Sequence, residues 1–178
     1  MPFKAGRFTA SYNRVTGKEI PANIRACLEA FEHAGSPQKK ARAVLDVMEQ
    51  LGETDGSQAA SRIMMDCGTR CIGDSTIQKA KKIYAGSKSM EDFIAGLNAH
   101  RIGGGRLVYE SGTVTGGYDK CYCGSVSKAG STMPLEYCSC SAGWYKRLFG
   151  EILKTEIKVE VKKSIISGAK TCEFVITI

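Results

Sequence analysis

Apolar residues in the first half of the chain recur with the period of an α-helix. Ile24, Cys27, Leu28 and Phe31 lie at positions i, i+3, i+4 and i+7, which places them on one helical face. The same spacing predicts further helices over 44–51, 60–67, 77–84 and 93–97. We interpret Gly52 as the stop signal of the helix over 44–51, and the glycines at 103–105 as the end of the helix over 93–97.

The second half of the chain changes to a period of two. The segments RLVYE (106–110) and TVTGGY (113–118) are strand candidates joined by a hairpin signal, and PLEYCSC (134–140) is a third candidate. A helical stripe over 145–152 follows, and then TEIKVEVKK and TCEFVITI alternate as an antiparallel hairpin with one solvated face. This order predicts an α+β fold in one domain, 1–178. Its N-terminal helices (1–102) are followed by an antiparallel sheet with one inserted helix (103–178).

Composition and charge exclude some classes of partner. The chain has 178 residues and a net charge of +7, but its basic residues are scattered, which argues against a nucleic-acid partner. It has no apolar run near the roughly 20 residues that a membrane span needs, and its first residues lack the apolar core of a signal peptide. We therefore expect a cytoplasmic protein with reduced thiols. The oligomeric state stays open, with a homodimer as one option.

Four of the eight cysteines form two matched pairs, Cys121/Cys123 and Cys138/Cys140. Residues i and i+2 of a strand share a face, roughly 6.5–7 Å apart along the backbone. Zinc–sulfur bonds of about 2.3 Å put ligand sulfurs just under ~4 Å apart, which converging side chains can reach. The two pairs therefore predict a metal site, with zinc favoured and an iron–sulfur cluster as the alternative. Thiol chemistry and four unrelated cysteines remain open as other interpretations.

The remaining cysteines are weaker candidates. Cys67 and Cys71 are four residues apart, so they share a face if the helix continues, whereas a helix end at Gly68 would place Cys71 in a loop. Cys172 lies on the apolar face of the last strand, where it either packs in the core or serves as an extra ligand. Cys27 belongs to a helical apolar stripe and is expected to pack there.

The segment SAGWYKRLFGEIL, followed by TEIKVEVKKSIISGAKTCEFVI, resembles the 4-vinyl-reductase domain, a small-molecule-binding domain. The resemblance implies an antiparallel sheet that encloses a hydrophobic ligand pocket. It also implies a zinc site that uses Cys138 or Cys140 together with Cys172. The family's remaining cysteine corresponds to Ser164 here, and Cys121 and Cys123 are the candidates to replace it.

The resemblance extends to other groups and to a ligand. The segments CGTRC, KCYCG and YCSCSAGWYK also resemble an uncharacterised cysteine-rich prokaryotic family, and the last strands faintly resemble thiazoline-carboxylate hydrolases. Trp144, Tyr145 and Phe149 are the candidates to line a pocket for a small hydrophobic or aromatic ligand, with core packing as the alternative for each.

Taken together, the sequence predicts a cysteine-ligated, zinc-binding protein of the small-molecule-binding or sensor type. Two alternatives stand beside this prediction. The first is a cysteine-dependent enzyme, either a hydrolase or a thiol redox protein. The second is a structural interaction protein without a metal. A depressed pKa and access to solvent at one thiol would indicate the enzyme.

Overall fold

The computed structural model describes residues 3–127, 130 and 132–178. Within these ranges, five helices precede the sheet and a sixth is inserted between its strands. They are α1 (Ala5–Thr16), α2 (Ala22–His33), α3 (Pro37–Thr69), α4 (Asp74–Gly86), α5 (Met90–Ala99) and α6 (Ser139–Leu153). Ser36 and Ser89 cap α3 and α5, because each side-chain oxygen accepts a hydrogen bond from a backbone N–H of the first turn. The α+β class predicted from the sequence is confirmed.

Two features of the helical part differ from the sequence prediction. Gly52 does not end a helix: α3 runs through it, and the backbone leaves the helical conformation instead at Gly56, where φ is 80°. The first helix was not predicted at all, although Phe8 and Tyr12 lie four residues apart and are both fully buried. Its apolar stripe is too short to stand out from the polar residues around it.

Four strands form one antiparallel sheet in the order β1–β2–β4–β3: β1 (Val108–Glu110), β2 (Thr113–Tyr118), β3 (Lys158–Lys163) and β4 (Cys172–Thr177). Both predicted hairpins are present, β1 with β2 and β3 with β4. In the central pairing, Tyr118 at the end of β2 lies opposite Cys172 at the start of β4. The cysteines that follow β2 are therefore carried toward Cys172.

The predicted third strand over 134–140 is wrong. Residues Leu135–Cys138 form a short 3₁₀ helix that runs directly into α6. Tyr137, Cys138 and Ser139 are buried in succession, whereas a half-buried strand would bury alternate residues. The alternation of buried and exposed residues that a strand requires is therefore absent.

Helices α3 and α6 cross with almost no space between their backbones. A Cβ atom at Gly68 would lie 2.7 Å from the carbonyl carbon and 2.9 Å from the Cα atom of Cys140. A Cβ atom at Gly143 would lie 2.8 Å from the carbonyl carbon of Met65. Both positions therefore need a residue without a side chain. This crossing brings the end of α3, which carries Cys67, against the start of α6, which carries Cys140.

The buried apolar residues form two clusters. The first joins the inner face of the sheet to α4, α5 and α6, and it includes Tyr145, Phe149 and Cys172. The second joins α1, α2 and α3 to the segment that precedes α6, and Cys121, Cys123 and Cys140 pack against its edge. The cysteine-rich segments therefore lie where the two clusters adjoin.

Among the helices in the described ranges, none is long and apolar enough to cross a membrane.

Candidate functional site

One cavity, with a volume of about 540 Å³, collects cysteines from three parts of the fold. The loop after β2, the start of α6 and the first residue of β4 contribute the five thiols, which are Cys121, Cys123, Cys138, Cys140 and Cys172. The structure thus brings the two Cys-x-Cys segments together at one place. It adds Cys172, which the sequence left between a core role and a ligand role.

On one side of the cavity, the cysteines contact the corner that follows β3. The Sγ atom of Cys138 is 2.8 Å from Oγ of Ser164, and the backbone N–H of Ile165 donates a hydrogen bond to Sγ of Cys172 at 3.5 Å. Ser164 is also the position at which the resemblance to 4-vinyl-reductase domains expects a third cysteine. The hydroxyl at this position therefore points at one of the thiols with which such a cysteine would act.

On the other side, the loop after β2 folds back on itself. The backbone N–H of Cys123 donates to Sγ of Cys121 at 3.4 Å, and Sγ of Cys123 lies 2.8 Å from the hydroxyl of Tyr137. Tyr137 is buried, so it fixes the loop against the segment that leads into α6. These contacts give each of the two sulfurs a local hydrogen-bond partner.

A third group of atoms adjoins the cavity at Cys140. Sγ of Cys71 is 3.8 Å from Sγ of Cys140, and the guanidinium of Arg7 in α1 donates a hydrogen bond to the Cys71 sulfur. Cys71 follows the end of α3, and its backbone N–H bonds to the carbonyl of Gly68. The close crossing of α3 and α6 is therefore what sets the distance between these two sulfurs.

The two sulfurs differ strongly in acidity. The pKa of Cys71 is lowered to about 6, first by the hydrogen bond from Cys140 and then by the positive charge of Arg7, while partial burial opposes the shift. The pKa of Cys140 is raised well above its ordinary value, because its proton is held by Cys71 and its sulfur is buried. The two shifts therefore favour negative charge on the sulfur of Cys71 and the proton on Cys140.

Two further cavity thiols, Cys138 and Cys121, have raised pKa values. The pKa of Cys138 is raised to about 12, first by burial and also by the nearby Cys172, Cys121 and Cys123, while the hydrogen bond with Ser164 opposes the shift. Burial likewise raises the pKa of Cys121. As the side chains stand, no set of three or more His, Cys, Asp and Glu residues in the described ranges could hold a metal ion.

Cys138 and Cys140 point to different partners because they lie on a helix rather than a strand. Cys138 ends the 3₁₀ helix and Cys140 is the second residue of α6. Positions i and i+2 of a helix are about 200° apart around its axis, so they do not share a face. Accordingly Cys138 contacts Ser164, whereas Cys140 contacts Cys71. The four-thiol cluster predicted for one sheet face is therefore divided between two groups of contacts.

Arg147 of α6 fixes the position of the turn that carries Cys71. The guanidinium of Arg147 donates hydrogen bonds to the carbonyls of Thr69 and Ile72 and forms an ion pair with Asp74. These bonds satisfy carbonyl groups at the C-terminal end of α3. The structure lies between the two geometries that the sequence left open for Cys67 and Cys71. Helix α3 continues through Gly68 and ends at Thr69, so Cys71 lies in the turn that follows.

The three aromatic residues proposed for ligand binding have different positions. Trp144 lines the cavity, whereas Tyr145 and Phe149 are fully buried in the first apolar cluster. The hydroxyl of Tyr145 donates to the carbonyl of Gly103 at 2.9 Å. Cys27 lies apart from the cavity, half-buried at the edge of the second cluster.

Sequence reasoning missed several residues of the site. Arg7 was overlooked because its helix carries too short an apolar stripe to be recognised. Tyr118, Tyr122, Arg101 and Lys120 also line the cavity, but single aromatic and basic residues at loop and strand ends give no pattern to find.

An α+β fold that gathers five thiols around one cavity, one of which also contacts Cys71, defines a protein with a cysteine-lined site. The chain belongs to a family of unknown function, DUF6144, whose model matches residues 12–178. No curated protein matches the chain, and no solved structure matches it either. The resemblance to 4-vinyl-reductase domains therefore stays a prediction.

Proposed function

We propose that the cavity cysteines bind a soft metal ion, with zinc as the ion that an all-thiolate shell favours. The observation that carries the proposal is the convergence of five thiols on one cavity. Cys121, Cys123, Cys138 and Cys172 would form the shell, with Cys140 as the alternative fourth ligand. Such a closed shell makes the metal structural, tying the loop after β2 to the start of α6 and to β4.

The mutual influence of these thiols supports the choice of ligands. Cys172, Cys121 and Cys123 each contribute to the raised pKa of Cys138, so these three sulfurs lie within electrostatic range of Cys138. Binding exchanges the present hydrogen bonds, including those to Tyr137 and Ser164, for metal bonds through rotation of the thiol side chains. Because protonated thiols must lose their protons to bind, metal affinity should increase with pH.

The test is metal analysis of protein purified anaerobically without chelators. We expect one zinc per chain and no absorption in the visible range, whereas strong visible absorption would indicate an iron–sulfur cluster. Cobalt added to the metal-free protein should give the intense thiolate-to-metal charge-transfer band of a sulfur-rich site. A protein that contains no stoichiometric metal and gives no such band would contradict the proposal.

Variants assign the ligands. Cys138→Ser should lower zinc occupancy sharply, and comparison of Cys172→Ser with Cys140→Ser identifies the fourth ligand. Cys27→Ser is the matched control, because Cys27 lies outside the cavity and its loss should leave zinc occupancy unchanged. Full occupancy in Cys138→Ser would exclude the proposed shell.

The remainder of the cavity supports a small-molecule-binding role beside the metal. The volume of the whole cavity falls within the roughly 300–1,000 Å³ of ordinary ligand sites, and aromatic rings from Tyr118, Tyr122 and Trp144 line it. Arg101 and Lys120 are also in its wall, while no Asp or Glu is among the described lining residues. These two cations favour an aromatic ligand that carries a negative charge in the metal-free protein, and they balance the negative charge of a four-thiolate zinc centre when the metal is bound.

An anionic aromatic dye, anilinonaphthalene sulfonate, tests this part of the proposal. Trp144 is the only tryptophan of the chain, so its fluorescence should be quenched as the dye binds. A double substitution of Arg101 and Lys120 by Gln should weaken binding at least about tenfold, as expected when two favourable charges are lost. Dye binding that leaves Trp144 fluorescence unchanged would place the dye elsewhere and contradict the proposal.

A further inference from the structure

We propose that Cys71 and Cys140 form a redox-active dithiol, which low-molecular-weight disulfides oxidise to an intramolecular disulfide. The two sulfurs are 3.8 Å apart, and a disulfide bond brings them to about 2.05 Å. A movement of less than about 2 Å therefore closes the bond, which rotation of the two side chains can supply. The proposal goes beyond metal binding, because Cys71 is not among the proposed zinc ligands.

The contacts of the two sulfurs give them different roles. Arg7 donates a hydrogen bond to Sγ of Cys71, so a cationic group stabilises negative charge on this sulfur. Cys71 is also partly exposed, which lets an external disulfide reach it. Cys140 has no cation among its described hydrogen-bond partners, and its sulfur faces Cys71. Cys71 is therefore the attacking sulfur and Cys140 the resolving one.

The reaction proceeds in two exchange steps. The Cys71 thiolate attacks one sulfur of a disulfide RSSR, forms a Cys71–SR mixed disulfide and releases RS⁻. The Cys140 thiol then loses its proton and attacks Sγ of Cys71, which forms the Cys71–Cys140 bond and releases a second RS⁻. Two protein thiols are thus oxidised by two electrons, and one RSSR is reduced to two thiols.

Two features of the fold fix the relative positions of Cys71 and Cys140. The backbone contact between Gly68 and Cys140 fixes the α3 end against α6, and the bonds from Arg147 hold the turn that carries Cys71. Neither feature involves the loop that carries Cys121 and Cys123. The dithiol should therefore react in the metal-free protein, and also in the zinc-loaded protein when Cys172 rather than Cys140 completes the metal shell.

The test uses the full chain, metal-free and zinc-loaded, equilibrated in buffers of reduced and oxidised glutathione. After acid quenching, free thiols are alkylated and the linked peptides are mapped by mass spectrometry. We expect a single dominant link, between the peptides of Cys71 and Cys140, and a loss of two free thiols per chain. Cys140→Ser should stop at a glutathione adduct on Cys71, whereas Cys71→Ser should form neither adduct nor link at this site.

Several results would overturn the proposal. Dominant links among Cys121, Cys123, Cys138 and Cys172 would assign the redox chemistry to the cavity thiols instead. Persistence of all thiols in excess oxidised glutathione would exclude it as well. The mapping of the unsubstituted chain does not depend on the folding of any variant, and Cys27→Ser serves as the control that should retain the Cys71–Cys140 link. Failure of zinc binding leaves this experiment readable, because it is run on metal-free protein.

Discussion

Substitution of Gly68 by Ala should separate α3 from α6 and disturb the pair Cys71–Cys140. The added Cβ atom would lie 2.7 Å from the carbonyl carbon of Cys140 and 2.9 Å from its Cα atom. Carbon atoms in ordinary contact are about 3.5–4.0 Å apart, so the two backbones must move apart by about 1 Å. The obstacle is backbone, which cannot rotate away as a side chain could.

The expected stability change is the balance of two effects. Alanine is a better helix former than glycine by about 1 kcal/mol, which favours the variant. Overpacking typically costs about 1–3 kcal/mol and can exceed this where backbone must shift. We expect a net loss of about 1–2 kcal/mol in the free energy of unfolding. The shift should also increase the distance between Cys71 and Cys140, slowing closure of their disulfide at least several-fold.

Gly52→Ala is the matched control, since Gly52 lies exposed in the same helix with no heavy atom within 4 Å of an added Cβ. This variant should gain up to about 1 kcal/mol. Urea unfolding followed by circular dichroism measures both variants, and the glutathione assay measures disulfide closure. If Gly68→Ala gains stability as Gly52→Ala does and closes its disulfide at the normal rate, our account of the helix crossing is wrong.

Three other predictions concern the site and its support. Because the pKa of Cys71 is lowered to about 6, its thiolate persists at low pH, and its alkylation rate by iodoacetamide should level off above about pH 7 instead of rising to pH 9. Arg7→Met should move this rise to higher pH, and an unchanged profile would refute the role given to the guanidinium. Tyr145→Phe should cost about 1–2 kcal/mol in urea unfolding, because it leaves the carbonyl of Gly103 without its donor; a neutral effect would contradict this.

Periodicity predicted the parts of the fold that bury one face. The strands β3 and β4 were predicted because Val159, Phe174 and Ile176 alternate with polar residues and lie on the buried face of the sheet. The segment before α6 was misassigned because two cysteines separated by one residue suggest alternation. In the structure, Tyr137 packs in the second cluster and Cys138 contacts Ser164, and no local pattern encodes these partners. The break in α3 at Gly56 was likewise not predictable, because Gly52 and Gly56 are equally suited to a helix end and the sequence does not distinguish them.

The candidate site was only partly predictable, for a related reason. Thiol count and spacing identified Cys121, Cys123 and Cys138 as neighbours, because two pairs in one region suffice to suggest convergence. The contact between Cys71 and Cys140 depends instead on the crossing of two helices that are far apart in sequence, and on a cation from α1. The signal that could have revealed it is Gly68, since a glycine that continues a helical pattern can have a packing reason.

The helical geometry at the start of α6 explains how one short segment can serve two chemistries. Cys138 and Cys140 are two residues apart, yet they face different neighbours, Ser164 and Cys71. On a strand both thiols would have faced the same side, and a metal bound there would have consumed both. On a helix, Cys138 is directed to the cavity thiols while Cys140 remains paired with Cys71.

Cys138→Ser should therefore abolish zinc binding without preventing the Cys71–Cys140 disulfide. Cys71→Ser should prevent the disulfide without abolishing zinc binding. Loss of both activities in either single variant, with the fold intact by circular dichroism, would mean that the two thiols act as one site.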